Sequence, residues 1–296
     1  MTTVAYQGEP GAFGEEAVIG YFGADGVTPV PMATFSAVCA AVENGSVDAG
    51  VLPLENSLAG TVGDALDALA DGSLSVVGEL LLPIRHQLLL LPGADLERVT
   101  RVSSHWQALA QCERFLSGRG WQIVPSADTA GAARELAFSG NPTVAAIASQ
   151  RAAERYSLEI AATDIQDSTH NVTRFAVLIL DAGARPEARG PLATSHGGER
   201  ETLITFETGH QPGDLYRALG SLAEAGINLS RIESRPSGSG PWRYRFLVQV
   251  AGDAAANPLV GALADLREHT STMRILGSFD VARNARSLPV SPESGT

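Results

Sequence analysis

Residues 50–57 read Gly-Val-Leu-Pro-Leu-Glu-Asn-Ser, an apolar run that ends in three polar side chains. The run Gly50–Leu54 predicts a buried strand, and a helical pattern follows it at residues 61–70. Open α/β sheets bind ligands where their strands end, so Glu55, Asn56 and Ser57 are candidate site residues. Ser57 is also an ordinary helix-cap residue, and the motif by itself leaves both interpretations open.

Short apolar runs alternate with helical patterns along residues 3–180, which predicts an α/β fold of βα units around mainly parallel sheets. We predict a first lobe at about residues 1–78 with 166–182 and a second lobe at residues 79–165. The predicted helices are residues 13–22, 35–43, 61–70, 106–117, 129–137 and 149–156. A cleft between the two lobes is then the default ligand site.

The composition changes at residues 183–200, where glycine, proline and serine predict a linker. Residues 201–285 then follow the order βαββαβ, which is typical of a ferredoxin-like fold. Residues 286–296 contain few apolar side chains and predict a disordered tail. The sequence therefore predicts a two-lobed region at residues 1–182 followed by one small domain.

The charged residues exclude several functions. The chain has 21 arginines, no lysine and a formal net charge of −12. Without lysine there is no Schiff base and no P-loop lysine, which excludes pyridoxal-phosphate enzymes and Walker-type nucleotide hydrolases. The acidity and the lack of a basic stripe also predict no nucleic-acid partner, because binding to a polyanion requires clustered cations.

The sequence also predicts a cytoplasmic protein with no membrane partner. Its longest apolar run is too short to span a bilayer, and its first residues lack the basic start of a signal peptide. Cys39 and Cys112 lie far apart without metal-ligand spacing, so we expect two small core residues in a reduced protein.

Spacing argues against a dinucleotide or metal cofactor. In the turn Gly8–Gly11, Glu9 and Pro10 occupy positions where the dinucleotide fingerprint needs a tight glycine turn. The six histidines form no i, i+4 pair and no other metal signature. We therefore expect no cofactor and no metal.

Other polar candidates lie at predicted turns and strand ends. Residues 104–107 (Ser-His-Trp-Gln) open a helix, and residues 168–173 precede the last strand of the two-lobed region. Each has an ordinary alternative: Ser104 as a cap, Asn171 as a turn residue, Thr173 as a β-branched strand residue. Residues alone thus indicate a two-lobed, cofactor-free binding protein or enzyme with a C-terminal module of regulatory type.

Five segments form one ordered set of motifs. They are YQGEPGAF at residues 6–13, GVLPLENS at 50–57, SHWQALAQC at 104–112, NVTRF at 171–175, and GINL with ESRP at 226–229 and 233–236. Across nearly the whole chain, this set resembles the prephenate dehydratases. The first loop has the form shared with plant-type arogenate dehydratases.

The resemblance implies a catalytic region similar to a two-lobed periplasmic binding protein, with the active site between the lobes, and a C-terminal ACT domain that binds L-phenylalanine. It also implies the reaction: prephenate loses its ring carboxylate as CO2 and its 4-hydroxyl as water, which gives phenylpyruvate. Aromatisation of the ring drives this step, so no electron sink, metal or nicotinamide is needed.

The resemblance assigns Thr173 as the catalytic residue, and we expect it to hydrogen-bond or protonate the leaving hydroxyl. The expected substrate-binding residues are Glu55, Asn56, Ser57, Gln107, Arg174 and Phe175. Arg174 suits a carboxylate, but on a strand it points opposite to Thr173, so a structural ion pair is the alternative. Glu55 is costly beside a dianion unless it is protonated or turned away.

The resemblance also implies an L-phenylalanine site in the C-terminal domain. Its expected residues are Gly213, Leu215, Asn228, Glu233, Ser234, Arg235 and Pro236. Asp214 departs from the family pattern there, and either repels the effector carboxylate or pairs with its ammonium group. In the catalytic region, Gly14 replaces the usual serine or threonine and Trp106 the usual proline.

The implied partners are prephenate as substrate, L-phenylalanine as allosteric effector, and other copies of the chain in a homodimer or homotetramer. Arogenate is the alternative substrate. From another class, the chain is alternatively a non-catalytic amino-acid sensor with an ACT module. Because the net negative charge opposes an anionic substrate, we expect a locally positive cleft at Arg174 and Arg85.

Overall fold

The structure is a computed structural model, and it describes residues 1–180, 198–209, 211–238 and 240–281. Over these ranges the chain forms fifteen strands and nine α-helices. The predicted tail at residues 286–296 and most of the predicted linker, residues 183–197, lie outside the described residues. The predicted α/β class is confirmed.

The first lobe is built on one mixed sheet. Its strands are β1 (Thr2–Gln7), β2 (Val27–Met32), β3 (Ala49–Asn56), β4 (Gly60–Thr61), β5 (Leu74–Pro83) and β11 (Val172–Leu180). The order is β2-β1-β3-β11-β5, with β4 beside β3. The three N-terminal strands are parallel, but β11 returns from the second lobe and runs antiparallel to both β3 and β5. The sheet is therefore mixed, not mainly parallel as expected.

Each face of this sheet buries its own apolar cluster. Helix α1 (Phe13–Phe22) covers the face that carries Val51 and Phe175. Helices α2 (Phe35–Glu43) and α3 (Gly63–Asp71) cover the other face, which carries Leu52. We call these the α1 face and the α2/α3 face. The period of two along each strand sends alternate side chains to opposite faces.

The second lobe has a five-stranded sheet in the order β10-β6-β9-β7-β8. Its strands are β6 (Gln87–Leu90), β7 (Arg101–His105), β8 (Gln122–Ser126), β9 (Val144–Ala148) and β10 (Glu159–Ala162). Its helices are α4 (Trp106–Gln111), α5 (Glu113–Leu116), α6 (Thr129–Ser139) and α7 (Gln150–Tyr156). The helix expected at residues 106–117 is two helices, because the backbone of Cys112 leaves helical geometry (φ −117°, ψ 22°).

The chain crosses between the lobes twice, between β5 and β6 and between β10 and β11. The expected lobe boundary near residue 79 falls inside β5, which continues to Pro83 because it pairs with β11 along its length. The two crossing segments are joined by a hydrogen bond from Ile84 N to Asn171 O of 2.8 Å. This pair of crossings is the hinge between the lobes.

Residues 200–280 form a C-terminal domain of the order βαββαβ. Its strands are β12 (Arg200–Glu207), β13 (Leu229–Pro236), β14 (Tyr244–Ala251) and β15 (Thr272–Asp280), and its helices are α8 (Asp214–Glu224) and α9 (Leu259–Glu268). The antiparallel order β13-β14-β12-β15 is that of a ferredoxin-like sheet.

The C-terminal sheet packs directly on the first lobe. Leu203, Leu247 and Leu276 join the cluster on the α2/α3 face. At Gly277 (φ +157°) the two backbones come so close that an added Cβ would lie 1.9 Å from Val76 O. Only glycine fits at this crossing of β15 over β5, and the helices α8 and α9 cover the opposite side of the sheet.

Candidate active site

The ends of several strands meet where the first lobe faces the second. Asn56 at the end of β3 pairs with Thr173 near the start of β11, and Pro83 at the end of β5 pairs with Val172. Because β1 runs parallel to β3, its C-terminal loop lies at the same edge. The topology therefore brings polar residues from distant segments to one edge of the sheet, beside the hinge.

Asn56 and Thr173 are both buried and their side chains are hydrogen-bonded. Asn56 Oδ1 accepts from the backbone N–H groups of Leu58 (3.1 Å) and Ala59 (2.9 Å). Since backbone N–H groups only donate, the amide orientation is fixed, and Nδ2 donates to Thr173 Oγ1 (2.9 Å) and Asn171 Oδ1 (2.7 Å). Thr173 Oγ1 is thus an acceptor from Asn56, which leaves its own proton for another partner.

The hydrogen bonds continue from Asn171 into the hinge. Asn171 Nδ2 donates to Gln111 Oε1 (2.9 Å), and His86 Nε2 lies 3.0 Å from the same oxygen. An amide oxygen only accepts, so His86 carries its proton on Nε2. Burial lowers the pKa of His86, which favours this neutral form. We call these residues, with Asn56 and Thr173, the polar chain.

Ser57 has a different task. Its Oγ donates to His170 O (2.6 Å) and accepts from Val172 N (2.9 Å). Both bonds join the residue after β3 to the segment that leads into β11. The Ser57 hydroxyl proton is therefore engaged in a hydrogen bond within the chain, to His170 O. This bond lies next to the start of β11, where Thr173, the catalytic residue expected from the sequence, is found.

Glu55 and Arg174 lie on the opposite face of the sheet from Thr173. Arg174 Nη1 is 2.8 Å from Glu79 Oε2, and Arg174 Nε is 3.7 Å from Glu55 Oε2. Burial raises the pKa of Glu79, and the charge of Arg174 opposes this shift. The arrangement matches the ion-pair alternative for Arg174. Phe175 returns to the α1 face, where it is buried in the apolar cluster.

Gln107 lies on α4, one turn before Gln111, so the two side chains share a helix face. Gln107 is partly exposed, and its side-chain amide has no hydrogen-bond partner among the residues that the structure describes. Trp106 is 65% exposed, with its ring tilted against His105 at a centroid distance of 5.6 Å. Gln107 is thus the sequence-predicted amide that remains available to a ligand.

The first loop joins the two lobes. Gly11 N donates to Glu15 Oε2 (2.6 Å), and Gly11 O accepts from Ser149 Oγ (2.7 Å) across the lobe junction. Glu15 also forms an ion pair with Arg151 on α7 (2.9 Å). A Cβ added at Gly11 would lie 2.8 Å from the backbone of Ala152. The described conformation therefore holds the lobes together at this side of the site.

Arg85, at the hinge, is 63% exposed and pairs with Asp164.

Two of the seven residues expected at the effector site face the first lobe, and the other five lie on other parts of the C-terminal domain. Glu233 and Arg235 point to the first lobe, where Thr61 Oγ1 donates to Glu233 and Arg235 binds Asp67 with two hydrogen bonds (2.6 and 3.0 Å). The other members of the set lie elsewhere. Asn228, Ser234, Pro236 and Gly213 are exposed, and Leu215 is partly buried against the apolar cluster under α8 and α9.

Asp214, the departure noted from the sequence, is the first residue of α8. Its Oδ1 is 2.6 Å from Arg217 Nη2, and its Oδ2 accepts from Gln211 N (2.7 Å). The preceding Gly213 has φ +86°, a left-handed conformation that favours glycine. The carboxylate is therefore engaged by its own helix.

Sequence reasoning omitted His86 and Gln111 from the site and treated Asn171 as a possible turn residue. Signals for two of them were present. Gln111 lies in a quoted motif, one helical turn after Gln107, and His86 is one of three polar residues, Arg85 to Gln87, between two apolar runs. Within the described ranges, no three His, Cys, Asp or Glu side chains are grouped in a way that could hold a metal ion. None of the described helices is both long enough and apolar enough to cross a bilayer.

Fold and site together define a two-lobed α/β protein with uncharged polar groups at the lobe junction and an appended ferredoxin-like domain. The family model described as prephenate dehydratase matches residues 4–182. The chain belongs to the prephenate dehydratase family, and with it to the lyases.

Similar proteins agree with this assignment. An arogenate dehydratase/prephenate dehydratase of Arabidopsis thaliana is 40% identical, over 94% of this chain and 72% of the relative. A bifunctional N-acyl-homoserine lactone acylase/prephenate dehydratase of Komagataeibacter europaeus is 37% identical, over 93% and 95%. The crystal structure of an Arthrobacter aurescens prephenate dehydratase in complex with L-Phe superposes with a TM-score of 0.84, at 33% identity over 96% of this chain and 91% of that one.

Proposed function

We propose that this chain converts prephenate to phenylpyruvate in L-phenylalanine biosynthesis, with Thr173 as the catalytic residue. The observation that carries the proposal is the hydrogen bond from Asn56 Nδ2 to Thr173 Oγ1 (2.9 Å) in a member of this family. Because Asn56 occupies an oxygen lone pair, the threonine proton is available to the hydroxyl that leaves the substrate.

The reaction requires one donor at the leaving oxygen. The bond from the ring to its carboxylate breaks and releases CO2, and its electron pair enters the ring. The bond from C4 to the hydroxyl breaks, and the oxygen leaves with its electron pair and takes up one proton as water. The dianion plus one proton thus gives the phenylpyruvate monoanion, CO2 and water, with no oxidant or reductant.

Threonine is a weak acid, so its contribution is a hydrogen bond that strengthens as negative charge develops on the leaving oxygen. A donor held in place before the reaction stabilises that charge without reorganisation, and the loss of one such donor typically costs about 10²–10³ in rate. The polar chain from His86 to Asn56 holds the Thr173 oxygen in one orientation. We assign positioning of Thr173 to Asn56.

Substrate anions are held by neutral donors in this proposal. Arg174 is paired with Glu79 on the other face of the sheet, and Ser57 uses its hydroxyl to join β3 to β11. Gln107 keeps a free amide one helical turn before Gln111 of the polar chain, and we assign it to a substrate carboxylate or keto oxygen. Glu55 stays behind the sheet, where it does not repel the dianion.

The test is product formation by the purified full-length protein. Fresh prephenate is incubated at neutral pH without added metal or cofactor, and phenylpyruvate is measured by its ultraviolet absorbance and by chromatography. Turnover supports the proposal. If fresh prephenate gives no phenylpyruvate above the uncatalysed rate, the proposal is wrong and the amino-acid-sensor alternative gains support.

Arogenate is the second candidate substrate, since several similar plant proteins carry the name arogenate dehydratase. It differs from prephenate by an amino group in place of the keto oxygen of the side chain, so the same leaving-group chemistry applies. A comparison of kcat/KM for the two substrates decides between them. We propose prephenate as the better one.

We further propose that the C-terminal domain is an ACT domain that binds L-phenylalanine and lowers activity. Support comes from the βαββαβ order and from the L-Phe complex named for the Arthrobacter aurescens relative. Strand β13 carries Glu233 and Arg235, which contact Thr61 and Asp67 in the segment that follows the Asn56 motif. A ligand on β13 would thus act close to the active site.

A homodimer or homotetramer formed through the C-terminal domains is the assembly we propose. Large apolar side chains are exposed there, among them Tyr216 (81%), Trp242 (78%), Ile232 (42%) and Tyr244 (41%). Strand β13 is also an edge of its sheet, with backbone groups open to another strand. We propose a cytoplasmic location, with which the two free buried cysteines are consistent.

A further inference from the structure

Strand β3 contains a bulge just before the active-site motif. Arg174 on β11 pairs with Glu55, but the next residue, Phe175, pairs with Pro53, so Leu54 is an extra residue in β3. In a regular strand, Asn56 would share the α2/α3 face with Leu54. A bulge breaks this alternation and re-aims the side chains that follow.

The consequence is visible in the side chains around the bulge. Leu54 is buried on the α2/α3 face, and Glu55 beside it also faces that way, toward Arg174. Asn56 then turns to the other side and reaches Thr173. The bulge therefore sends the carboxylate away from the site and brings the amide into it.

The carbonyl of Leu54 is stabilised from the C-terminal domain. It accepts from Val62 N (3.0 Å) within the first lobe and from Arg231 Nη2 (3.0 Å) on β13. Arg231 is 9% exposed, and its Nε lies 3.7 Å from Glu55 Oε2. One guanidinium thus contacts both residues at the bulge that turn away from the site.

Domain packing alone does not account for this arginine. Arg231 Nε and Nη1 have no hydrogen-bond partner among the described residues. A buried cation with unpaired N–H groups is costly, and an apolar side chain would pack there at lower cost. What an apolar side chain cannot supply is a donor to the bulge carbonyl together with a positive charge beside Glu55.

We propose that Arg231 is a positioning residue for the reaction: it holds the bulge at Leu54, so that Asn56 orients Thr173. The C-terminal domain is then a structural part of the active site, whether or not an effector is bound. This inference rests on the proposed function, and it adds a residue that contacts neither substrate nor effector.

The test compares Arg231→Met with Arg245→Met in the full-length protein. Arg245 also crosses from the C-terminal domain to the first lobe, but it pairs with Asp71 at the far end of α3 (2.6 Å). We expect Arg231→Met to lower kcat at least about tenfold, equal to about 1.4 kcal/mol, with KM changed less than about twofold. Arg245→Met should leave both constants within about twofold of wild type.

Two further variants separate positioning from folding. Arg231→Lys keeps a positive charge and a donor on a shorter side chain without the guanidinium fork, so it should recover kcat in part, to at least about threefold above that of Arg231→Met. Combined with Thr173→Val, Arg231→Met should cause no further loss, because residues that act as a unit are not additive. If Arg231→Met cannot be purified folded, Arg231→Gln takes its place in both comparisons.

The proposal is overturned if the Arg231 variants lose no more kcat than Arg245→Met. It is also overturned if Arg231→Met lowers kcat by the same factor in Thr173→Val as in wild type. A kcat for Arg231→Lys as low as that for Arg231→Met would overturn it too. Wild-type protein that forms no phenylpyruvate would instead refute the proposed function, so the two failures are distinguishable.

Discussion

Asn56 Nδ2 lies 2.9 Å from Thr173 Oγ1 and donates to it across the pairing of β3 with β11. The direction of this bond follows from the backbone N–H groups of Leu58 and Ala59, which hold the other end of the amide. The threonine proton therefore points to a partner outside the pair. In the proposed reaction that partner is the leaving hydroxyl.

Asn56→Asp reverses this bond without changing the shape of the side chain. One carboxylate oxygen can still accept from Leu58 N and Ala59 N, but the other accepts a hydrogen bond from the Thr173 hydroxyl and also faces Asn171 Oδ1, which cannot donate. We expect kcat to fall about 100-fold, the typical effect of losing one fixed donor, and the thermal midpoint to fall as well, because the buried carboxylate oxygen faces Asn171 Oδ1 without a hydrogen bond. Steady-state kinetics and a melting curve measure both, and a variant with kcat within about fivefold of wild type would contradict the assigned orientation.

Two glutamines on α4 should separate catalysis from binding. Gln111→Leu leaves Asn171 Nδ2 and His86 Nε2 without their acceptor, which costs about 1–3 kcal/mol in unfolding free energy for each unpaired group and disorders the polar chain, so kcat falls. Gln107→Leu removes a free amide, so KM rises while stability stays near that of wild type. Chemical denaturation and kinetics on both variants provide the check. If Gln111→Leu and Gln107→Leu change kcat and KM by the same factors, this division of roles is wrong.

Glu16→Gln tests the ionisation of one carboxyl at the lobe junction. Burial raises the pKa of Glu16 to about 7, from 4.5, and Arg151 N donates to it at 3.4 Å. A raised carboxyl pKa destabilises the folded protein above pH 7, and the penalty disappears as the pH falls through 7 toward 4.5. The variant should be more stable than wild type at pH 8 by about 1–3 kcal/mol and equal to it near pH 4.5. A stability difference that does not change with pH would contradict the assignment.

L-Phenylalanine should lower the rate of prephenate turnover and increase the sedimentation coefficient, because a ligand that prefers one state shifts the population toward it. Glycine at the same concentration is the control. Unchanged rate and sedimentation at millimolar phenylalanine would refute the effector proposal and leave the catalytic proposal intact.

Much of the fold could be predicted from local patterns, and the exceptions have physical causes. Helices α1 and α2 have the predicted bounds. Strand β2 was not predicted, because Pro29 and Pro31 lie in it; it tolerates them since it is an edge strand. Strands β7 and β10 were also missed, since their short runs lack a strong apolar period.

The candidate site was predictable in part. The motifs that contain Asn56 and Thr173 identify the two residues, but their hydrogen bond joins positions 117 residues apart and depends on the pairing of two strands. The bulge at Leu54 decides which of Glu55 and Asn56 enters the site, and a period of two cannot reveal it. Pro53 was the signal, because proline inside a strand often accompanies a bulge.

The central claim is that the Thr173 hydroxyl supplies the hydrogen bond to the leaving group. The most direct measurement compares phenylpyruvate formation from prephenate by wild type, Thr173→Ser and Thr173→Val. The account predicts that serine keeps kcat within about tenfold, while valine, equal in shape but without the hydroxyl, loses at least about 100-fold and stays folded. A folded Thr173→Val protein with more than about one tenth of the wild-type kcat would contradict it.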